Sequence, residues 1–100
     1  MSDWVDPTSE PVATRGPGRV TVRYWAAARA AAGVDADEVP AATLAEAVAA
    51  VSALRGAALA RVLAACSYLI DSAPAGRRPP DEVLLPPGAV VEALPPFAGG

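Results

Sequence analysis

Arg19-Val20-Thr21-Val22-Arg23-Tyr24-Trp25 alternates strictly between two faces, and the rest of the chain is read outward from it. Val20, Val22 and Tyr24 share one parity, while Thr21, Arg23 and Trp25 take the other. A period of two sustained this long predicts a strand half-buried on its aliphatic side. Trp25 then falls on the outer face, where a large aromatic is expected to serve as a contact surface. Directly after it, Ala26–Ala32 reads as a short helical turn closed by Gly33, which tolerates the left-handed conformation of a helix C-cap. Residues 37–41 are expected to form a short second strand.

Thr43-Leu44-Ala45-Glu46 has the form of a capping box, with the Thr hydroxyl accepting from the Glu46 amide and the Glu46 carboxylate reaching back to the Thr43 amide. The helix it opens carries Leu44, Ala47, Val48, Val51 and Leu54 as one apolar stripe and stops at Gly56. Residues 57–65 repeat the helical spacing through Leu59, Val62, Leu63 and Cys66. Residues 67–71 read as a strand, residues 81–85 as a short edge segment after a Pro/Gly-rich loop, and residues 89–94 as the final strand. In that last strand Val91 and Ala93 point inward and Leu94 points out, the outward parity Trp25 also has. The expected class is therefore α+β, a mixed sheet with a helix packed across one face.

Composition narrows the function. The 100-residue chain has net charge −3, with no histidine. It also has no lysine, so all its basic side chains are arginines. Nucleic-acid binding calls for an excess of basic charge, so no nucleic-acid partner is expected. Without histidine the commonest metal ligand and neutral-pH base are missing, and the single cysteine cannot build a disulfide framework, so no metal is expected. Cys66 reads as a small packed hydrophobe. No apolar run approaches the ~20 residues that span a bilayer, which leads to the expectation of a cytoplasmic protein without membrane partners. There is neither a GxxxxGK[ST] nor a GxGxxG sequence to hold a nucleotide. Residues 1–18, with Pro7, Pro11 and Pro17 and no periodicity, read as a disordered leader. Residues 19–94 make one small domain, and residues 95–100 an extended, flexible tail.

The tail is Pro95-Pro96-Phe97-Ala98-Gly99-Gly100. Two prolines fix φ near −65° and lack N–H groups, so they end strand pairing and aim the chain outward. Phe97 is an aromatic expected to find a pocket on another molecule. Gly99 and Gly100 have no side chain to block a narrow channel or an approach to the terminal carbonyl. A carboxylate of pKa ~3.5 is ionised at neutral pH and a poor electrophile, so acyl transfer from it needs activation by ATP on a partner.

The sequence Val20-Thr21-Val22-Arg23-Tyr24-Trp25-Ala26-Ala27-Ala28-Arg29 with Gly33, together with the ending from Leu85 to Gly100, resembles the MoaD/ThiS sulfur-carrier family. The opening turn is most similar to its molybdopterin synthase small-subunit branch. Ala89 and Val90 stand where the family has an acidic pair, and Ala30 where an acidic residue follows the arginine. The resemblance implies a ubiquitin-like β-grasp fold and a carrier that is no enzyme alone but the sulfur-donating subunit of a transferase complex. A ubiquitin-activating-type enzyme would adenylate Gly100 with ATP, a sulfur donor protein would convert it to a thiocarboxylate, and the large subunit of molybdopterin synthase would receive the tail. Sulfur would pass to cyclic pyranopterin monophosphate, with no cofactor bound to the carrier. Gly100 would be the reacting residue and Gly99 would give clearance. Pro95, Pro96 and Phe97 would aim and anchor the tail, while Trp25, Arg29 and Leu94 would contact partners. A carrier for thiamine thiazole or another sulfur metabolite, a ubiquitin-like protein modifier, and an interaction module without tail chemistry are the other readings.

Overall fold

The computed structural model describes residues 18–96, so the leader expected at its start and Phe97, Gly99 and Gly100 of the tail fall outside the described residues, apart from Gly18. The elements are β1 (Arg19–Tyr24), α1 (Ala26–Ala32), β2 (Ala36–Pro40), α2 (Leu44–Arg55), α3 (Ala57–Leu63), β3 (Ser67–Ile70), β4 (Ala73–Pro74), a 3-10 turn (Pro80–Glu82) and β5 (Val90–Leu94). The sheet is mixed, in the order β2-β1-β5-β3-β4. Its two central strands are the first and last, paired in parallel with Tyr24 opposite Ala93. The pairs β1–β2, β3–β5 and β3–β4 are antiparallel.

The alternation of β1 becomes burial. Val20, Val22 and Tyr24 are buried, as are Val91 and Ala93 on β5, and they meet Ala47, Val51, Leu59 and Leu63 of the helices in one core. Many of the buried side chains are alanine or valine, so the helices sit close to the sheet and shape complementarity replaces bulk. Gly33 has φ 80° and donates its N–H to the Arg29 carbonyl, ending α1 as a left-handed C-cap. Gly18, the last residue of the expected leader, accepts from the Ala41 amide at 3.0 Å. A Cβ there would lie 2.7 Å from the Pro87 Cβ, so this approach of two chain segments requires glycine.

Four local expectations are corrected. The Glu46 carboxylate accepts from the Ala42 amide at 2.7 Å, one residue before the expected Thr43, although the Thr43 hydroxyl does accept from the Glu46 amide at 3.1 Å. The reason lies in tertiary structure, because Thr43 forms a β-bridge with Leu84 that fixes the entry of the chain into α2. Leu54 leaves the apolar stripe and is exposed, since α2 ends there and the chain turns at Gly56 into α3. Residues 81–85 do not form an edge strand; a 3-10 turn and that single bridge let Val83 and Leu85 close the core from below α2. Residues 64 and 65 lie beyond the end of α3 at Leu63.

Tyr24, Asp37 and Arg55 join β1, β2 and α2. The Tyr24 hydroxyl donates to Asp37 Oδ2 at 2.7 Å, and Arg55 donates Nε to the same oxygen at 2.9 Å and Nη2 to Oδ1 at 2.5 Å. This fork geometry is the strong form of an arginine–carboxylate pair. Arg55 beside it holds the Asp37 carboxyl below the usual carboxylate range. Burial, reinforced by the bond to Asp37, pushes the Tyr24 hydroxyl well above its ordinary value.

Candidate functional site

Parallel pairing of the first and last strands places the end of β1 beside the end of β5. The Trp25 amide donates to the Ala93 carbonyl at 3.3 Å, so Trp25 and Leu94 become neighbours although they lie 69 positions apart in the chain. On the other side of β5, Leu94 is opposite Ser67 of β3. The result is an open groove of about 630 Å³ lined by Trp25, Ala26, Ala27, Ser67, Leu94 and the two prolines Pro95 and Pro96. Its walls are mainly apolar, and the tail leaves the domain along one of them.

Trp25 is 42% exposed yet held in place. Its indole Nε1 donates to Glu92 Oε1 at 3.2 Å, and the Arg23 guanidinium lies 5.4 Å from the ring centroid. A cation over an exposed aromatic face contributes about 0.5–1 kcal/mol. These two contacts restrain the ring where it lines the groove, so a group packing against it would lose less entropy in ordering it. Ala26 has φ 48°, a left-handed conformation uncommon outside glycine, at the sharp turn from β1 into α1. With Ala27 it gives the groove a floor without long side chains.

Arg29 does not line this groove. Its Nε sits 2.8 Å from Asp35 Oδ1, and both side chains are largely exposed, so the pair adds little to stability. It borders a shallow depression on the other side of Trp25 with Arg23, Tyr24 and Asp35. Of the residues expected to contact partners, the structure therefore brings together Trp25 and Leu94 with Pro95 and Pro96, and sets Arg29 at the margin. Sequence reasoning did not find Ala26, Ala27 and Ser67 as groove walls, nor Arg23 and Glu92 as holders of Trp25. Arg23 and Trp25 share a strand face and could have been paired from spacing; Glu92 could not, because its register against Arg23 depends on parallel β1–β5 pairing.

Among the described residues lining the groove the one hydroxyl is Ser67, and none carries a carboxylate, thiol or imidazole. Burial pushes the Cys66 thiol up to about 11, and its Sγ faces the Val62 carbonyl at 3.3 Å, so it stays protonated at neutral pH. Among the described residues no group of three or more metal-ligating side chains comes together. No described helix is long and apolar enough to cross a membrane. The described groove is thus a mainly apolar surface at the point where the chain leaves β5.

No protein-family model matches the chain, and no curated protein matches it. Solved structures do. The small archaeal modifier protein 1 (SAMP1) from Methanosarcina acetivorans superposes with a TM-score of 0.73 at 20% identity, over 84% of this chain and 98% of that one. Urm1 from Trypanosoma brucei gives 0.63 at 15% identity, covering 84% and 97%. The structure of a complex of subunits 1 and 2 of the molybdopterin-converting factor from Helicobacter pylori 26695 contains a chain with a TM-score of 0.59 at 22% identity, covering 82% and 99%. The fold is the ubiquitin-like β-grasp, and the resemblance to the MoaD/ThiS group drawn from the sequence is met by neighbours that include a molybdopterin-converting factor subunit.

Proposed function

We propose that the protein is a ubiquitin-like sulfur carrier of the molybdopterin type, working through Gly100. The observation that carries this reading is the groove of Trp25, Leu94, Pro95 and Pro96, which sets an apolar docking surface at the point from which the Gly99-Gly100 tail departs. Structural likeness to SAMP1, Urm1 and a converting-factor subunit supports a ubiquitin-like carrier or modifier, and the opening Tyr24-Trp25-Ala26 turn favours the molybdopterin branch. That a neighbour of this fold was solved as a complex of subunits 1 and 2 supports a large-subunit partner. In the proposed cycle, an adenylating enzyme joins the Gly100 carboxylate to AMP from ATP, releasing pyrophosphate. The terminal sulfur of a persulfide donor displaces AMP and forms an acyl disulfide with the donor; a thiol then attacks the donor's sulfur, leaving the donor in a disulfide and releasing the Gly100 thiocarboxylate. In the large subunit the thiocarboxylate gives its sulfur to a pterin precursor, and water restores the Gly100 carboxylate. The carrier contributes position, with Phe97 anchoring and Gly99 giving clearance.

The likeness to a small archaeal modifier protein favours a second reading, in which Gly100 is joined to lysines of other proteins. One experiment separates the two. The protein is mixed with ATP, the adenylating enzyme and a sulfur donor, and its intact mass is followed with and without the large subunit and pterin precursor. The carrier reading expects a thiocarboxylate and dithiolene formation, both lost when Gly100 is deleted, because the reacting carbonyl retreats by up to ~3.5 Å and ~1 Å can cost about a hundredfold in rate. Gly99→Val should fail similarly, its branched side chain crowding the approach. Wild-type dithiolene formation without Gly100 would overturn the carrier reading, and lysine-linked adducts in its place would establish the modifier.

A further inference from the structure

A second groove, of about 490 Å³, runs between the start of α2, the end of α3 and the loop after β4, and the tail chemistry makes no use of it. Leu44, Val48, Leu63 and Tyr68 give it apolar walls, and Arg78 is the one charged residue among the described residues that line it. Arg78 donates Nε to the Ala75 carbonyl at 3.1 Å, which fixes the guanidinium at the rim. Among the described residues no carboxylate pairs with Arg78, since the three ion pairs there use Arg19, Arg29 and Arg55. The groove therefore offers apolar walls with a cation at the edge.

The 17 residues before Gly18 contain a segment of matching chemistry, Asp3-Trp4-Val5-Asp6, an aromatic–aliphatic pair flanked by two carboxylates. Trp4 is out of keeping with the polar, proline-bearing residues around it, and an aromatic in such a setting calls for a place to bury its ring. Where the leader joins the domain also fits. Gly18 is bonded to Ala41, and Leu44 at the groove begins α2 three residues later. Between Trp4 and Gly18 the chain can extend up to about 45 Å, so reach is ample. Tethering also places the segment at millimolar effective concentration, enough to populate a contact that would be weak between separate molecules.

We infer that Trp4 and Val5 dock in the groove between α2 and α3 of their own chain, with Asp3 or Asp6 against Arg78. The test uses the full chain carrying Trp25→Phe, which leaves Trp4 as the only indole. Acrylamide quenching of its fluorescence is expected to be several-fold weaker than in a synthetic peptide of residues 1–16, and to stay so over about a hundredfold dilution, because the contact is intramolecular. Peptide-like quenching at every concentration would overturn the assignment. Shielding lost on dilution would overturn it too, giving the groove to the leader of a second copy. Arg78→Glu, on an exposed loop, should return quenching most of the way to the peptide value; unchanged quenching there would remove the charge pairing on which the docking rests. As a readout that leaves the domain intact, Trp4→Ala should shift the methyl resonances of Leu44, Val48 and Leu63, and superimposable spectra would overturn the proposal.

Discussion

Asp37 accepts from donors on two other elements, the Tyr24 hydroxyl and the Arg55 guanidinium, and so ties an edge strand to the sheet centre and to α2. Its folded pKa lies below the unfolded one, which sets the sign of its pH dependence. The stabilisation is fully present above the unfolded carboxylate value of ~3.9 and is lost as pH falls through the lower folded value. Asp37→Asn keeps an acceptor for Tyr24 but removes the titration, so its urea stability should be lower at neutral pH and fall less steeply in acid than wild type. Asp37→Ala leaves the buried Tyr24 hydroxyl without an acceptor, a cost of about 1–3 kcal/mol. Equal acid limbs for wild type and Asp37→Asn would show that other carboxylates govern acid unfolding. Nothing in the sequence pattern marks this triad. Asp37 and Arg55 are 18 positions apart, and only the crossing of α2 over β2 brings them together.

At the scale of elements, α2 shows where periodicity suffices and where it fails. Leu44, Ala47 and Val51 are buried as their spacing predicts, with Val51 wholly inaccessible. Val51→Asp should therefore be severely destabilising, by several kcal/mol, because it places an unpaired carboxylate in the core. Leu54 belongs to the same stripe but is exposed, so Leu54→Ala should change stability by no more than about 0.5 kcal/mol. Chemical denaturation of both variants checks the pair; similar losses would mean the helix is rotated from its described orientation. A helical stripe says which residues share a face, not how far along the helix its neighbours extend. Here α2 runs past its cover in the last turn, and the reversal at Gly56 sends the next apolar residues into α3.

For the whole molecule, the described residues of the groove include no carboxylate, thiol or imidazole, so what the groove offers is shape and apolar surface. The groove joins the ends of β1 and β5 to β3, and the residues holding Trp25 come from β1 and β5. If this surface seats the proposed large subunit and adenylating enzyme, Trp25→Ala should weaken binding by ~2 kcal/mol or more while the melting temperature changes little. Glu92→Gln, which loses charge but keeps an acceptor for the indole, should be milder. Titration calorimetry with each partner gives the answer, and unchanged affinity of Trp25→Ala for both would take Trp25 out of the contact surface. Arg29→Ala should have a smaller effect, since its ion pair with Asp35 sits at the margin.

The sequence alone determined the local pieces. Alternation from Arg19 to Tyr24, the Thr43 cap and the left-handed Gly33 are short-range matters of backbone geometry and neighbouring side chains, and they appear nearly as read. It also marked Trp25 and Leu94 as outward-facing, because parity within a strand is a local property. Tertiary structure decided what those residues mean together. Parallel pairing of β1 with β5 is a long-range choice with no trace in either strand, and it alone makes Trp25 and Leu94 one surface and places Glu92 against the indole. The same holds for Asp37 with Arg55, Thr43 with Leu84 and Gly18 with Pro87. Each depends on how the elements pack, and packing is settled by the whole core at once, since no single segment buries enough surface to fix its own place.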